Sequence, residues 1–301
     1  MVAPSGPVDP DNLARGVAVL RDVLGLEVRM RPDVVARRGY LAGDDGRRLT
    51  EWHDAASDRD ARAIFCARGG YGAMHLLPRL EPGRLLHPPK WVVGFSDVTV
   101  LHAALNGAGL VTLHAPLVTT LGRATPEALQ HLQALLFGAS EPAPAAAGGV
   151  RPGQGCLGTG VIRPGRASGT LLGGSLTMLA HLCGTPWLPP LQGAVLFLED
   201  VAEKPYRLDR YLTQLRLAGA LDGVCAVCVG YLTACDADGL TGAAVVRELV
   251  HALGVPAIEG VAAGHADHNL ALPLGSVVTL VAPGPGEEGP PRLLFDQWSA
   301  P

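Results

Sequence analysis

Residues 92–99 read VVGFSDVT. Two β-branched valines run into Gly94, then Phe95, Ser96 and Asp97, and a segment of helical character follows. A strand that enters a tight turn and leaves as a helix places the turn residue at the carboxyl end of a sheet, where open α/β sheets bind ligands. A serine there faces the free N–H groups of the new helix, which suit a developing oxyanion. Two readings of Ser96 therefore compete: an ordinary helix cap, or a nucleophile held up at the end of a strand. The nucleophile-elbow pattern G-x-S-x-G is half met, because Val98 stands at its last position. On these eight letters alone the cap is the better reading.

Working outward, short apolar runs alternate with amphipathic segments. Val2-Ala3 reads as the end of a first strand, and Asp9 caps a helix that has Pro10 at its first position. Leu13, Val17, Leu20 and Leu24 give that helix an apolar face, and Gly25 stops it. Strands are expected at Leu26–Met30, Ala63–Ala67 and Trp91–Phe95, with helices at Arg47–Ala56, Ala73–Leu80 and Val98–Leu105. Such alternation implies a doubly wound, mostly parallel sheet with helices on both faces. Residues 139–166 are dense in Pro, Gly and Ala with almost no periodicity, and read as a linker between a domain over 1–138 and another over 167–301. The second half resumes with a strand at Gly169–Leu172 and a helix near Ser175–Leu182. A strand at Ala194–Leu198, a helix at Pro205–Leu217 and a strand at Val224–Val229 follow. Then come a helix at Ala243–Leu253 and strands at Ser276–Val281 and Arg292–Phe295.

Composition narrows the function. Hydrophobic residues make up 48% of the 301-residue chain and charged residues 17%, enough for a large core. The net charge of −4, with Lys and Arg scattered, gives no basic stripe for nucleic acid. Apolar runs such as Ala194–Leu198 are strand-sized and too short to cross a bilayer. The start, MVAPSGPVDP, has neither a charged nor an apolar leader region, so a cytoplasmic location is expected. Cys225 and Cys228 have a metal-ligand spacing, but DGVCAVCVGY reads as a buried strand in which they point to opposite faces. No second cysteine pair completes a tetrahedral site, so buried, reduced cysteines are expected.

A nucleophilic serine needs a base, and the base an orienting group. His265, in AAGHADHN, follows Gly264 in a loop able to project a side chain into a cleft. His268 is a rival, and His114, in TLHAP, is expected to line the same rim. VLFLEDVAEKPYR ends an apolar strand on Glu199 and Asp200, with Glu203 in the loop beyond. Glu199 terminates the strand directly, so its position is better fixed than that of Glu203. CARGGYGAM sets Gly69, Gly70 and Gly72 between a strand and a helix, where backbone N–H groups can approach a ligand. It matches neither nucleotide-binding glycine pattern.

These segments together resemble the LD-carboxypeptidase family of serine peptidases, which includes murein tetrapeptide carboxypeptidases and microcin C immunity peptidases. The resemblance runs in order through VAPSGPVDP, ARRGYLAG, IFCARGGYGAMHLLPRL, PKWVVGFSDVTVLHAAL, LLGGSLTMLAHLCGTP, LFLEDVAEKPYRLDRYLTQL and GHADHNLALPLG. It implies Ser96 as nucleophile, His265 as base and Glu199 as orienting acid. The implied fold is a doubly wound N-terminal domain with a smaller C-terminal β/α domain and the site between them. It further implies a small, muropeptide-like substrate, no metal or cofactor, and a homodimer. The backbone N–H groups of Asp97 and of the Gly69-Gly70 turn, Gly70 foremost, are the expected oxyanion donors. Arg68, Tyr71, His114 and Arg207 are candidates for substrate binding, the two arginines for a terminal carboxylate. The family's His-Gly-Pro is His114-Ala115-Pro116 here, and its Gly-His-Gly is Gly264-His265-Ala266. Family members carry a short lead-in before the VAPS segment, so a trimmed or reassigned start is expected. A peptidyl-nucleotide amide is the alternative substrate, and a silent binding protein on the same fold the alternative class.

Overall fold

The computed structural model describes residues 1–85, 89–138, 151 and 154–297. In the first half, α1 (Pro10–Ala18) and α2 (Asp45–Ser57) precede β1 (Ala63–Phe65) and β2 (Trp91–Gly94). Then come α3 (Thr99–Gly107), β3 (Thr112–His114), α4 (Val118–Leu121) and α5 (Pro126–Phe137). The second half begins with β4 (Gly155–Leu157), β5 (Gly160–Arg163), β6 (Gly165–Ser175) and α6 (Leu176–Leu182). It continues through β7 (Val195–Val201), α7 (Pro205–Leu217), β8 (Ala226–Thr233) and α8 (Gly242–Leu253). The strands β9 (Ala257–Glu259), β10 (Leu272–Leu274), β11 (Val277–Ala282) and β12 (Arg292–Gln297) complete it.

Two sheets result. The first has the order β1-β2-β3-β10, and the second β4-β12-β11-β6-β7-β8-β9-β5. β1, β2 and β3 are parallel, as are β6, β7, β8 and β9. Helices α3, α6, α7 and α8 are the crossovers that parallel pairing requires, while 3-10 turns over Ala73–Arg79 and Pro82–Leu85 lie between β1 and β2. β10 comes from the second half of the chain yet pairs antiparallel with β3, Leu272 opposite His114. A continuous apolar core follows, running from Phe65, Val93 and Leu113 to Phe197, Ile258 and Leu280. Close glycine contacts tighten the junction. A Cβ on Gly174, whose φ is +134°, would lie 2.6 Å from Thr99 Oγ1. No helix among the described residues is long and apolar enough to cross a membrane.

Helix α1 starts where expected, with the Asp9 carboxylate accepting from Asn12 N–H at 2.9 Å and Pro10 in the first turn. Two expectations need correction. Leu26–Met30 is not a strand. The Leu26 N–H turns back to Leu20 O, and the Met1 amino group donates to Arg29 O, so no ladder forms along it. The expected linker is not without structure where it is described: residues 155–163 supply β4 and β5, and β6 begins at Gly165. Their partners are β12, β9 and β11, distant in sequence, so composition around residue 160 carried no sign of them. Residues 139–150, 152 and 153, the rest of that stretch, lie outside the described residues.

Candidate active site

β2 ends at Gly94, Phe95 is extended, and Ser96 then adopts φ +66°, left-handed backbone on a non-glycine residue. That conformation costs of order 1–3 kcal/mol and persists only where the surroundings enforce it. Two glycines make room for it. A Cβ on Gly94 would lie 3.0 Å from Cys66 Cβ, and one on Gly69 3.0 Å from Ser96 Cβ. A 3-10 turn over Ser96–Val98 leads into α3, and no side chain caps either segment. The Ser96 hydroxyl is engaged elsewhere: Oγ lies 3.0 Å from His265 Nε2.

His265 Nδ1 lies 2.7 Å from Glu199 Oε2. Glu199 does not terminate β7, which runs on to Val201, but lies within the strand and is fully buried. Gly264, with φ +120°, lets the histidine loop approach it, since a Cβ there would fall 2.7 Å from Oε2. Gly264 N–H donates to Asn269 Oδ1 at 2.8 Å, and Thr233 Oγ1 donates to His265 O at 2.8 Å, so the loop is fixed on both sides of the imidazole. The Phe95 ring meets the imidazole edge-on, with centroids 4.7 Å apart. Burial raises the Glu199 carboxyl above its ordinary range. Burial alone would lower His265, but the hydrogen bond and charge of Glu199 outweigh it and leave the imidazole more basic than usual.

The glycine loop lies against the serine. Asp97, expected for its backbone N–H, also uses its carboxylate: Oδ2 accepts from Ala73 N–H at 2.9 Å. Gly69 O accepts from Gly6 N–H at 3.0 Å, and Gly70 and Gly72 have φ of +100° and +118°. Beneath the loop Arg48 is fully buried, donating to Gly72 O at 2.7 Å and to Pro4 O, and pairing with Asp45. Sequence reading missed Arg48. The available signal was its place on the buried face of α2, three and four residues before Glu51 and Trp52.

A cleft of about 410 Å³ opens over the serine, lined by Asp9, Asn12, Arg68, Gly69, Gly70, Phe95, Ser96, Leu117, Thr119, Thr120, Arg123 and His265. Of the sequence candidates, Arg68 lines it, its guanidinium donating to Pro7 O. Tyr71 is exposed, stacks edge-on against Tyr40 and His75, and does not line the cleft. Arg207 does not line it either: it pairs with Glu203 and donates to the Tyr211 hydroxyl at 2.9 Å. His114 is not on the rim. It is fully buried between the rings of Phe95 and Phe197, where burial holds its pKa well below normal. Pairing of β3 with both β2 and β10 carries it inward, a contact the sequence did not show. The rivals are also placed. His268 Nδ1 meets Thr125 Oγ1 at 2.8 Å, and Asp200 accepts from Thr177 N–H and Oγ1, fixing the start of α6. Thr119 and Thr120 of α4, and Arg123 just after it, had no signal, because this stretch has no motif of its own.

All six cysteines are free thiols; Cys228 is buried and Cys225 half-buried. Among the described residues no group of three or more His, Cys, Asp or Glu could hold a metal ion. An imidazole poised between a buried carboxylate and a serine hydroxyl can remove the hydroxyl proton, and the glycine loop offers N–H groups beside it.

Comparisons with known proteins identify the family. Residues 1–115 match the family model for the LD-carboxypeptidase N-terminal domain, and residues 168–280 that for the C-terminal domain. A Streptomyces coelicolor relative is 39% identical over 91% of this chain and 87% of its own. The murein tetrapeptide carboxypeptidase of Pseudomonas aeruginosa is 34% identical over 93% of this chain and 92% of its own. The crystal structure of muramoyltetrapeptide carboxypeptidase from Oxalobacter formigenes superimposes with a TM-score of 0.81 at 30% identity, covering 98% of both chains. By sequence, by both halves of the fold and by near-complete coverage, this chain belongs to the LD-carboxypeptidase family.

Proposed function

We propose that this protein is a serine carboxypeptidase that hydrolyses an L-D peptide bond, releasing the terminal D-alanine of murein tetrapeptides. One observation carries the reading. Glu199, His265 and Ser96 form an unbroken hydrogen-bonded line, 2.7 Å and 3.0 Å long, that ends in the cleft. The names of the relatives support the substrate class.

His265 Nε2 takes the Ser96 proton as Oγ attacks the scissile carbonyl carbon. Glu199 holds the imidazole by Nδ1 and stabilises its cationic form. The N–H groups of Asp97 and Gly70 receive the oxyanion, and losing one donor costs roughly 3 kcal/mol of transition-state stabilisation. The C–N bond breaks as His265 passes its proton to the departing D-alanine amine. A water, deprotonated in turn by His265, then attacks the acyl-serine ester and restores the hydroxyl. The nucleophile comes from the unit over 1–138 and the acid and base from the unit over 167–301, with β4 and β5 added to the latter. A cytoplasmic homodimer belongs to the same proposal, and sedimentation of the purified chain tests the assembly.

The substrate test is incubation with a tetrapeptide ending in L-Lys-D-Ala or meso-diaminopimelyl-D-Ala, alongside an aminoacyl-sulfamoyl nucleotide. Release of free D-alanine, with slower cleavage of the nucleotide, is expected. Cleavage of the nucleotide alone would replace the murein reading with the nucleotide one.

A further inference from the structure

The proposed reaction leaves one electrostatic requirement unassigned. A carboxypeptidase substrate ends in a free carboxylate, one residue or about 3.6 Å beyond the carbonyl under attack. The cation that receives it must therefore come from the walls of the cleft that holds Ser96. Besides His265, the cleft's lining residues include two cations, Arg68 and Arg123. Arg207 is spent on Glu203 and Tyr211 outside it.

The two arginines differ in what already holds them. Arg68 donates to the main-chain carbonyl of Pro7 and packs beside Gly6, which ties it to the first loop. Arg123 follows α4, whose Thr119 and Thr120 also line the cleft. Its Nε meets Asp267 Oδ1 at 3.2 Å, with more than half of each side chain exposed. An exposed pair of this kind is weak and readily exchanged. Asp267 lies two residues beyond His265, so the pair bridges the nucleophile half and the histidine loop at the cleft wall. A guanidinium also receives a carboxylate through two parallel N–H donors, which gives direction as well as charge.

We infer that Arg123 is the specificity residue for the substrate's terminal carboxylate, exchanging Asp267 for it on binding, with Arg68 adding charge within the same cleft. Asp267 holds the guanidinium at the cleft until substrate arrives. This inference rests on the proposed serine carboxypeptidase reading.

The test compares a tetrapeptide ending in D-alanine with the same peptide ending in D-alanine amide, using wild type, Arg123→Gln and Arg123→Lys. Wild type should prefer the acid by 10- to 100-fold in kcat/KM. Arg123→Gln should lose most of that preference by raising KM for the acid, with the amide changed less than about threefold; Arg123→Lys should recover part of it. Asp267→Asn, which removes the competing carboxylate, should leave KM for the acid unchanged or lower it. Equal losses on acid and amide in a protein with an unaltered melting curve, or a preference that survives Arg123→Gln, would overturn the assignment. Ser96→Ala separates the two levels. If it is inert on both peptides the underlying reading stands and only the Arg123 result judges the inference; full activity in Ser96→Ala would sink the reading itself.

Discussion

Ser96 and His265 face each other across 3.0 Å, yet different physics holds them there. The serine half is a matter of backbone shape: a left-handed φ of +66°, enforced by close contacts at Gly69 and Gly94. The histidine half is a matter of electrostatics: a fully buried carboxylate, unfavourable alone, is stabilised by the imidazole that it makes more basic. Substitutions on the two sides should therefore diverge in stability even where they agree in activity.

The largest effect pairs Ser96→Gly with His265→Ala. Both should lower kcat by about a million-fold, the scale for removing a member of such a unit. Ser96→Gly relieves the left-handed strain and should stabilise the fold by about 1 kcal/mol. His265→Ala leaves Glu199 buried without its partner and should destabilise it by about 1–3 kcal/mol. That loss should grow as pH rises from the ordinary glutamate range towards the ordinary histidine value of 6.5, where the carboxylate of the variant must ionise or stay protonated at a cost while wild type keeps its imidazolium. Chemical denaturation at two pH values checks both signs. A Ser96→Gly protein less stable than wild type would break the contrast.

Glu199→Gln comes next, with kcat down about 10³- to 10⁴-fold because the amide supports neither the right tautomer nor the cation. Steady-state kinetics on the tetrapeptide measures it. Gly69→Ala probes the backbone side. Its methyl would sit 3.0 Å from Ser96 Cβ. Displacing the nucleophile by a few tenths of an ångström should cost about 10- to 100-fold in kcat, with KM changed less.

The smallest effect is a shift along the pH axis. His265 must be neutral to act as base, and its pKa is raised, so the ascending limb of kcat/KM should have its midpoint above 6.5. Glu199→Gln should move that midpoint to lower pH. The same raised pKa makes the contribution of the His265 imidazole to stability full below the unfolded histidine value and lost as pH climbs through the folded one. A midpoint unmoved by Glu199→Gln would show that the carboxylate does not set the base.

The parallel α/β order was legible because it rests on local signals. Asp9 and Pro10 open α1, the stripe Leu208, Tyr211, Leu212 and Leu215 buries one face of α7, and β2 carries the β-branched pair Val92 and Val93. What depended on distant pairing was not legible. β4 and β5 lie in a stretch of Pro, Gly and Ala and owe their existence to β12 and β9. His114 looked like a rim residue until β10 closed over β3. Ser96, Glu199 and His265 were readable only together, since each sits near a strand end or in a loop where a bland role is equally available. Arg48 and Arg123 escaped notice because an arginine's partners are set by tertiary contacts, here main-chain carbonyls for one and an aspartate 144 positions away for the other.

The most direct test of the central claim is release of D-alanine from the tetrapeptide by wild type and by Ser96→Ala at equal concentration and with matching melting curves. The account predicts steady release by wild type and none above the uncatalysed background from Ser96→Ala. Release by Ser96→Ala at the wild-type rate would contradict it.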